Sequence, residues 1–413
     1  MKKLLAILLC LCVTALHAAN WPAWRGPTND GVCTEKDLPV TWNTTENVAW
    51  KVALPSAGNS TPIIWDKKVF ITSSVERGRK RGVMCFDRTD GKLLWQKDIT
   101  YAGNEPTHKD NPFCSATPIT DGERVIAHHG SAGIVAYDMD GNLLWQRNDL
   151  GELNHIWGNA TSPIFHDDLV IAYCGPGLNV FLIALDKKTG KDVWKLDLPQ
   201  AKAKTPDQFY GSWSTPVIRD AGGKKELILG LPKQVVALDL ATQKEIWTCS
   251  GLGPLVYTNP LISGDTIVVM SGYSGPALGV RAGGSGDVTA THRLWLVDQK
   301  KDLPQRVGSG VVVGDHIYIL NDPGFAQCIE MKTGKEIWRE KLGGTSWSSM
   351  CHADGKLYVI DMKGESFVLQ PSTEFKLLSR NPLNELTRAS LAFSNGQIFI
   401  RTYQHLWCIG AKK

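Results

Sequence analysis

Much of what would betray a chemistry is missing from this chain. It has no C-x-x-C pair, so the spacing of a structural zinc site is not met. No apolar run follows residues 4–16, so no later segment is long and apolar enough to cross a bilayer as a helix. Charge of one sign is not in excess. The 45 basic residues less Lys2 and Lys3 leave 43 against 41 acidic ones, a net of +2. That balance gives no electrostatic case for nucleic acid or an anionic membrane as partner. No long stretch keeps a 3.6-residue period, so helices should be scarce. What remains is a globular β protein of ordinary composition, 43% hydrophobic and 21% charged.

The first 19 residues have the layout of a secretory signal: basic Lys2 and Lys3, apolar Leu4 to Leu16, then small Ala18 and Ala19. Cys10 and Cys12 follow Leu9 and Leu11, not the small residue that precedes an acylated cysteine, so a soluble exported chain is expected. Eight cysteines then remain in an oxidising compartment. Cys85, Cys328 and Cys408 stand where sister repeats carry Ala and read as buried apolar fillers. Cys33, Cys114, Cys174, Cys249 and Cys351 are open between thiol and disulfide.

Against these absences stand fifteen Trp, forty Gly and one recurring line. It reads Ala184-Leu-Asp-Lys-Lys-Thr-Gly-Lys-Asp-Val-Trp194, with versions at Cys85–Trp95, Ala136–Trp145, Ala237–Trp247 and Cys328–Trp338. The closing Trp residues are 50, 49, 53 and 91 residues apart, so one unit is hidden in the last gap. A second marker counts the units independently. Thr61-Pro62, Thr117-Pro118, Ser162-Pro163, Thr215-Pro216 and Asn259-Pro260 each open one, with echoes at Ser309, Ser349 and Ser390. Eight units result, each with four short β-branched strands A to D separated by Gly/Asp turns. The expectation is an all-β, eight-bladed β-propeller.

Three irregularities follow. The chain ends before blade eight can form strand D, so Glu46-Asn-Val-Ala-Trp50-Lys51 should supply it and close the ring, with Trp50 as the missing Trp. Blade five aligns Leu296-Val297-Asp298 with A-x-D and puts Arg306 at the Trp slot, implying a short outer strand. On that alignment Ser271–His292 is the longest B–C connection. The division expected is a signal at 1–19, an extension packed on the propeller at 20–44, and the propeller at 45–413.

The A-x-D-x-x-T-G-K-x-x-W line resembles the tryptophan-docking repeat of the pyrroloquinoline quinone (PQQ) repeat family of quinoprotein-like propellers, over residues 45–410. Eight blades, export and length are most similar to its BamB-like branch. Trp21-Pro-Ala-Trp-Arg-Gly-Pro27, with Arg281–Thr289 and His292-Arg-Leu-Trp295, is similar to an exported group of that superfamily. The family's enzymes imply a vicinal Cys pair over the quinone, a Glu/Asn calcium site and an Asp base. This chain has no Cys-Cys, and the other residues do not map onto it. No catalytic residue, metal ligand or resident cofactor is therefore expected; PQQ with calcium belongs only to an alternative reading as a dehydrogenase.

Loops point to the working face. In a propeller the A–B and C–D turns share one face, and here they are tight. The D–A connections, such as Ile99–Cys114 and Pro199–Ser212, share the other face with B–C and are long. Three residues before the Pro slot, the blades carry Asn59, Ser115, Ala160, Trp213, Tyr257, Val307, Trp347 and Arg388, with Trp157 nearby. Aromatic rings and Arg are the residues of binding hot spots. Trp157, Trp213, Tyr257, Trp347 and Arg388 are thus candidate ligand contacts. Arg281 and Asp287 join them through the Gly283-Gly284-Ser-Gly286 string, as an anion nest or a cation ligand. That string lacks phosphate-loop spacing. His128-His129 on a strand point to opposite faces and do not share a metal. Arg77-Gly-Arg-Lys-Arg81 reads as solvated charge or as a dock for an acidic partner. The chain is expected to be a monomeric, exported, non-catalytic binding or scaffold propeller. Its partner is expected to be an envelope protein or a small-molecule or carbohydrate ligand.

Overall fold

The computed structural model describes residues 20–298 and 305–411; the proposed signal segment lies outside them. Eight antiparallel four-stranded sheets form a ring of blades. Blade one is built from Ile63–Trp65, Lys68–Val75, Lys80–Asp87 and Leu93–Thr100, innermost strand A to outermost strand D. Blades two, three, four, six and seven occupy 119–147, 164–197, 217–250, 311–341 and 351–382. Among the described residues the one α-helix is the four-residue turn Thr289–His292.

Blade eight takes three strands from the C-terminal end, Ala392–Ser394, Gln397–Arg401 and His405–Ile409. Its strand D is the N-terminal Val48–Ala53, paired antiparallel with Trp50 opposite Cys408. Trp50 Nε1 donates to Arg88 O at 2.7 Å in blade one, so the first strand welds the last blade to the first.

The repeated line now has a physical cause at each slot. The small residue faces the Trp across the C–D pair: Cys85 opposite Trp95, Ala184 opposite Trp194, Cys328 opposite Trp338. In blades one and two the indole N–H then crosses to the next blade's C–D turn, whereas that of Trp247 is buried without a partner. Trp95 donates to Met139 O and Trp145 to Lys187 O, both at 3.0 Å. The turn's Gly is needed twice. Gly190 has φ +69°, and a Cβ there would stand 2.6 Å from Trp145 of the neighbouring blade.

The Ser/Thr-Pro step forms an inner belt. The backbone N–H of each residue before the Pro slot donates to the side-chain oxygen of its counterpart in the next blade. Thr61 donates to Thr117, Thr117 to Ser162, Ser162 to Thr215, and Thr215 to Asn259. Asn259 donates to Ser309, Ser309 to Ser349, Ser349 to Ser390, and Ser390 back to Thr61. Eight bonds of 2.9–3.2 Å close a circle around the channel. Pro follows where the innermost strand edge faces the channel and needs no donor.

Blade five corrects the alignment made from the motif. Its strand C is Ala277–Arg281 and its strand D is a full Arg293–Val297. Gly279 fills the small slot opposite Trp295, whose indole donates to Met331 O at 3.0 Å. Leu296 and Val297 therefore belong to strand D, and Arg306 lies beyond the blade, buried and donating to Gly275 O at 3.0 Å. The repeat line is masked in blade five because Arg281 stands in the Asp slot and an insertion replaces the tight turn. That insertion is used: Gly286–Asp287 pairs parallel to Trp247–Thr248 as a fifth strand on blade four. It covers a sheet edge and buries Trp247 completely.

The N-terminal segment before Val48 crosses the channel. Trp21 exchanges two 2.9 Å backbone bonds with Ile64 in blade one, and Pro22 O accepts from Thr120 N in blade two. Arg25, 2% exposed, donates to Gly310 O (2.6 Å) and Met350 O (2.8 Å) in blades six and seven. Val32–Cys33 then adds parallel to strand A of blade seven. All eight cysteines from Cys33 onward are buried and free, which settles the five open ones as thiols.

Candidate functional site

The D–A and B–C connections surround a pocket of about 380 Å³ at the channel mouth. The size falls within the roughly 300–1,000 Å³ of ordinary ligand pockets. All eight residues three before the Pro slot line it, because each leaves the belt at the same height and in the same direction. Trp24, carried by the crossing segment below the belt, also lines it. The segment makes the pocket blind rather than a through-channel.

The walls differ in chemistry. Blades three to five supply an aromatic side. Trp213 is held by an indole bond to Gly158 O at 2.8 Å and meets Tyr257 edge-on at 5.3 Å. Trp157 lies near-parallel to Tyr273, centroids 5.8 Å apart and planes 19° apart. Phe209 meets Trp157 edge-on at 4.9 Å. Phe209 and Tyr273 are each about half exposed, so the platform continues onto the rim.

Blades one, seven and eight supply a polar side. The Arg388 guanidinium lies 4.9 Å from the Trp347 ring centroid, binds Asp110 Oδ1 at 2.8 Å and touches the Tyr403 hydroxyl. Burial pushes the Arg388 pKa down despite the Asp110 charge beside it. Asn59 Nδ2 donates to Asp110 O at 3.0 Å and so fixes the Asp110 loop. Asn59 Oδ1, Trp347 Nε1 and Arg388 Nε are buried and have no partner within the protein.

Of the residues singled out from the sequence, Trp157, Trp213, Tyr257, Trp347 and Arg388 come together here. Arg281 and Asp287 do not. The Gly-rich string is the C–D connection of blade five, on the opposite face, where Ala282 N–H donates to Asp265 O of the A–B turn at 2.7 Å. Asp287 accepts from Thr289 N at 2.9 Å, and the Thr289 hydroxyl also bonds it. These bonds hold its pKa below the usual range, as a turn cap rather than an ion ligand. The true B–C loop of blade five, Ser271–Pro276, carries Tyr273. Trp24, His108, Asp110, Phe209, Tyr273 and Tyr403 were not singled out. The loops bearing Asp110 and Phe209 stood out by length alone.

One further expectation changes. Arg81 is not a solvated docking charge: it is 2% exposed and bonds Glu105 Oε2 at 2.5 Å, His129 O at 2.6 Å and Gly78 O at 2.9 Å. Arg77 and Arg79 are exposed. His128 and His129 are both buried, and desolvation pushes their pKa values down to about 4 and about 3. Among the described residues no group of three or more His, Cys, Asp or Glu is placed to hold a metal ion.

A family model described as "Outer membrane protein assembly factor BamB" matches residues 43–278 and 284–373. The chain belongs to this BamB family of PQQ-repeat propellers. It is 21% identical over 332 residues to outer membrane protein assembly factor BamB of Yersinia pestis, covering 80% of this chain and 69% of that one. It is 25% identical over 207 residues to quinohemoprotein alcohol dehydrogenase ADH IIB of Pseudomonas putida, covering 49% of this chain. That match spans only 27% of the dehydrogenase. The quinohemoprotein alcohol dehydrogenase structure from Comamonas testosteroni superposes with TM-score 0.69 at 10% identity, over 96% of this chain and 81% of that one, a likeness of fold.

The dehydrogenase likeness raises PQQ and calcium, and the pocket does not fit them. PQQ carries three carboxylates. Among the described residues Arg388 is the one Lys or Arg lining the pocket, and Asp110 already neutralises it. Asp110 is also the one carboxylate among the described lining residues, too few for a calcium shell of 6–8 oxygens. The lining includes no cysteine.

Proposed function

We propose that this chain is an exported, non-catalytic binding propeller of the BamB family that holds its ligand in the blind pocket of the loop-rich face. The observation that supports it most is the pocket itself. Eight equivalent blade positions converge on one cavity, and six of them carry aromatic or polar side chains: Asn59, Ser115, Trp213, Tyr257, Trp347 and Arg388. The ring, belt and crossing segment make a rigid frame, and the varied loops supply recognition. The layout of residues 1–19 supports export in this reading; among the described residues no helix is long and apolar enough to cross a membrane. The ligand is an envelope protein segment or a small molecule, and the protein acts as a monomer.

The test pairs two assays. Protein incubated with PQQ and calcium is assayed for dye reduction across alcohols and sugars, and no turnover is expected. Captures from envelope extract use wild type and Tyr273→Ala, a variant whose half-exposed ring can be removed without opening the core. Loss of a captured ligand in the variant is expected. Turnover, or capture identical in both, overturns the reading.

A further inference from the structure

We propose that the pocket recognises a neutral saccharide, with a sugar face on the Trp157–Tyr273 wall and hydroxyls on the Asp110–Arg388 side. This rests on the reading of the loop-rich pocket as the working site and names its ligand class. Three observations carry it.

The first is two-sidedness. A pyranose ring has an apolar C–H face and a rim of hydroxyls, and the pocket sets a broad aromatic side from blades three to five across from Asn59, Asp110 and Arg388. A wholly aromatic ligand would satisfy one side and leave the other desolvated, which is costly.

The second is charge. Arg388 and Asp110 compensate each other at 2.8 Å. An anion entering would compete with Asp110 for the guanidinium, and a cation would meet Arg388 at close range. A neutral ligand disturbs neither. A carboxylate held beside a guanidinium also offers an acceptor and a donor side by side, the pattern that vicinal hydroxyls complete.

The third is the set of unpartnered atoms. Asn59 Oδ1 is an acceptor; Trp347 Nε1 and Arg388 Nε are donors; all three are buried without a partner in the protein. Buried polar groups in folded proteins are nearly always bonded; these three belong to residues that line the pocket, and a small side-chain adjustment would offer them to a ligand. Hydroxyls donate and accept, and can serve this mixed set. An anion serves only the donors and an ammonium only the acceptor.

The half-exposed Phe209 and Tyr273 extend the platform beyond the cavity. A chain of sugars, with its end ring in the pocket and the next on the rim, uses both.

The experiment is titration followed by tryptophan fluorescence and saturation-transfer NMR. The probes are cello-, malto-, xylo- and chito-oligosaccharides, with oligogalacturonate as the acidic control. At least one neutral series is expected to bind, tighter as disaccharide than as monosaccharide, and the acidic one not. Tyr273→Ala and Arg388→Met are each expected to weaken binding by about tenfold or more, the loss typical of a hot-spot side chain. Circular dichroism verifies that both variants fold. Absence of binding by every neutral series, or binding unchanged in both variants, overturns the saccharide assignment. If saccharides fail but an envelope ligand is still captured in a Tyr273-dependent way, the binding site stands and only the ligand class falls.

Discussion

Replacing Trp50 by Ala is expected to unlatch the ring. Trp50 is 8% exposed, packs on Phe399 with centroids 6.0 Å apart, and donates to Arg88 O at 2.7 Å. Truncating a buried aromatic costs about 3–5 kcal/mol through lost transfer energy and the cavity left behind. The lost hydrogen bond adds about 1 kcal/mol. Trp50→Phe keeps much of the packing and loses the bond, so it should cost roughly 1–2 kcal/mol. Leu143→Ala, on an outer strand and 57% exposed, is the control and should fall within about 0.5 kcal/mol of wild type. The assay is urea unfolding followed by far-ultraviolet circular dichroism, with calorimetry alongside. In a chain of this size the Trp50→Ala loss corresponds to roughly 5–10 °C in Tm. Deletion of residues 44–53 should be worse, since it removes the whole strand. A Trp50→Ala protein no less stable than the Leu143 control would refute closure by this strand.

Other outcomes follow from the same geometry. Ser309→Ala should cost about 1–3 kcal/mol, because it leaves the Asn259 N–H buried without an acceptor; an unchanged urea midpoint would show that the belt is incidental. Arg81→Met should cost about 3–5 kcal/mol by stranding the Glu105 carboxylate, and a loss within that of a surface change would contradict the buried pair. Acid should destabilise the fold. His128 and His129 stay neutral in the native protein down to about pH 4 and about pH 3. Unfolded histidines take up protons below about pH 6.5, so the unfolded state binds more protons across that window and stability falls as pH drops through it. Replacing both by Gln should flatten the fall in Tm between pH 7 and 4.5; an equally steep fall would assign the acid sensitivity elsewhere.

The ring was legible because its signals are local and repeated. The turn Asp, the positive-φ Gly and the docking Trp stand at fixed spacing, and the Ser/Thr-Pro step counts the blades a second time. Trp50 was legible by subtraction, since the last blade ran out of chain. Blade five misled because Gly279 and Arg281 replaced the two residues that anchor the line. A later Leu-x-Asp then matched by chance, and Arg281 and Asp287 were carried to the wrong face. Much of the site was legible because its inner residues sit at a fixed offset from the belt: Trp213, Tyr257, Trp347 and Arg388 follow from counting. Its outer residues do not. Asp110, Phe209 and Tyr273 lie in loops with no period, where only the fold determines which side chain turns inward. Trp24 arrives from a segment outside the repeat and reaches the pocket from below.

Native mass spectrometry of the protein, purified gently from its native cells, is the most direct test of binding through the loop-rich face. Wild type should carry a bound molecule of discrete mass that is absent from Tyr273→Ala and Arg388→Met, and fragmentation should give sugar residues. A molecule retained in both variants would place binding elsewhere on the propeller, and a bound quinone would make the protein a redox enzyme.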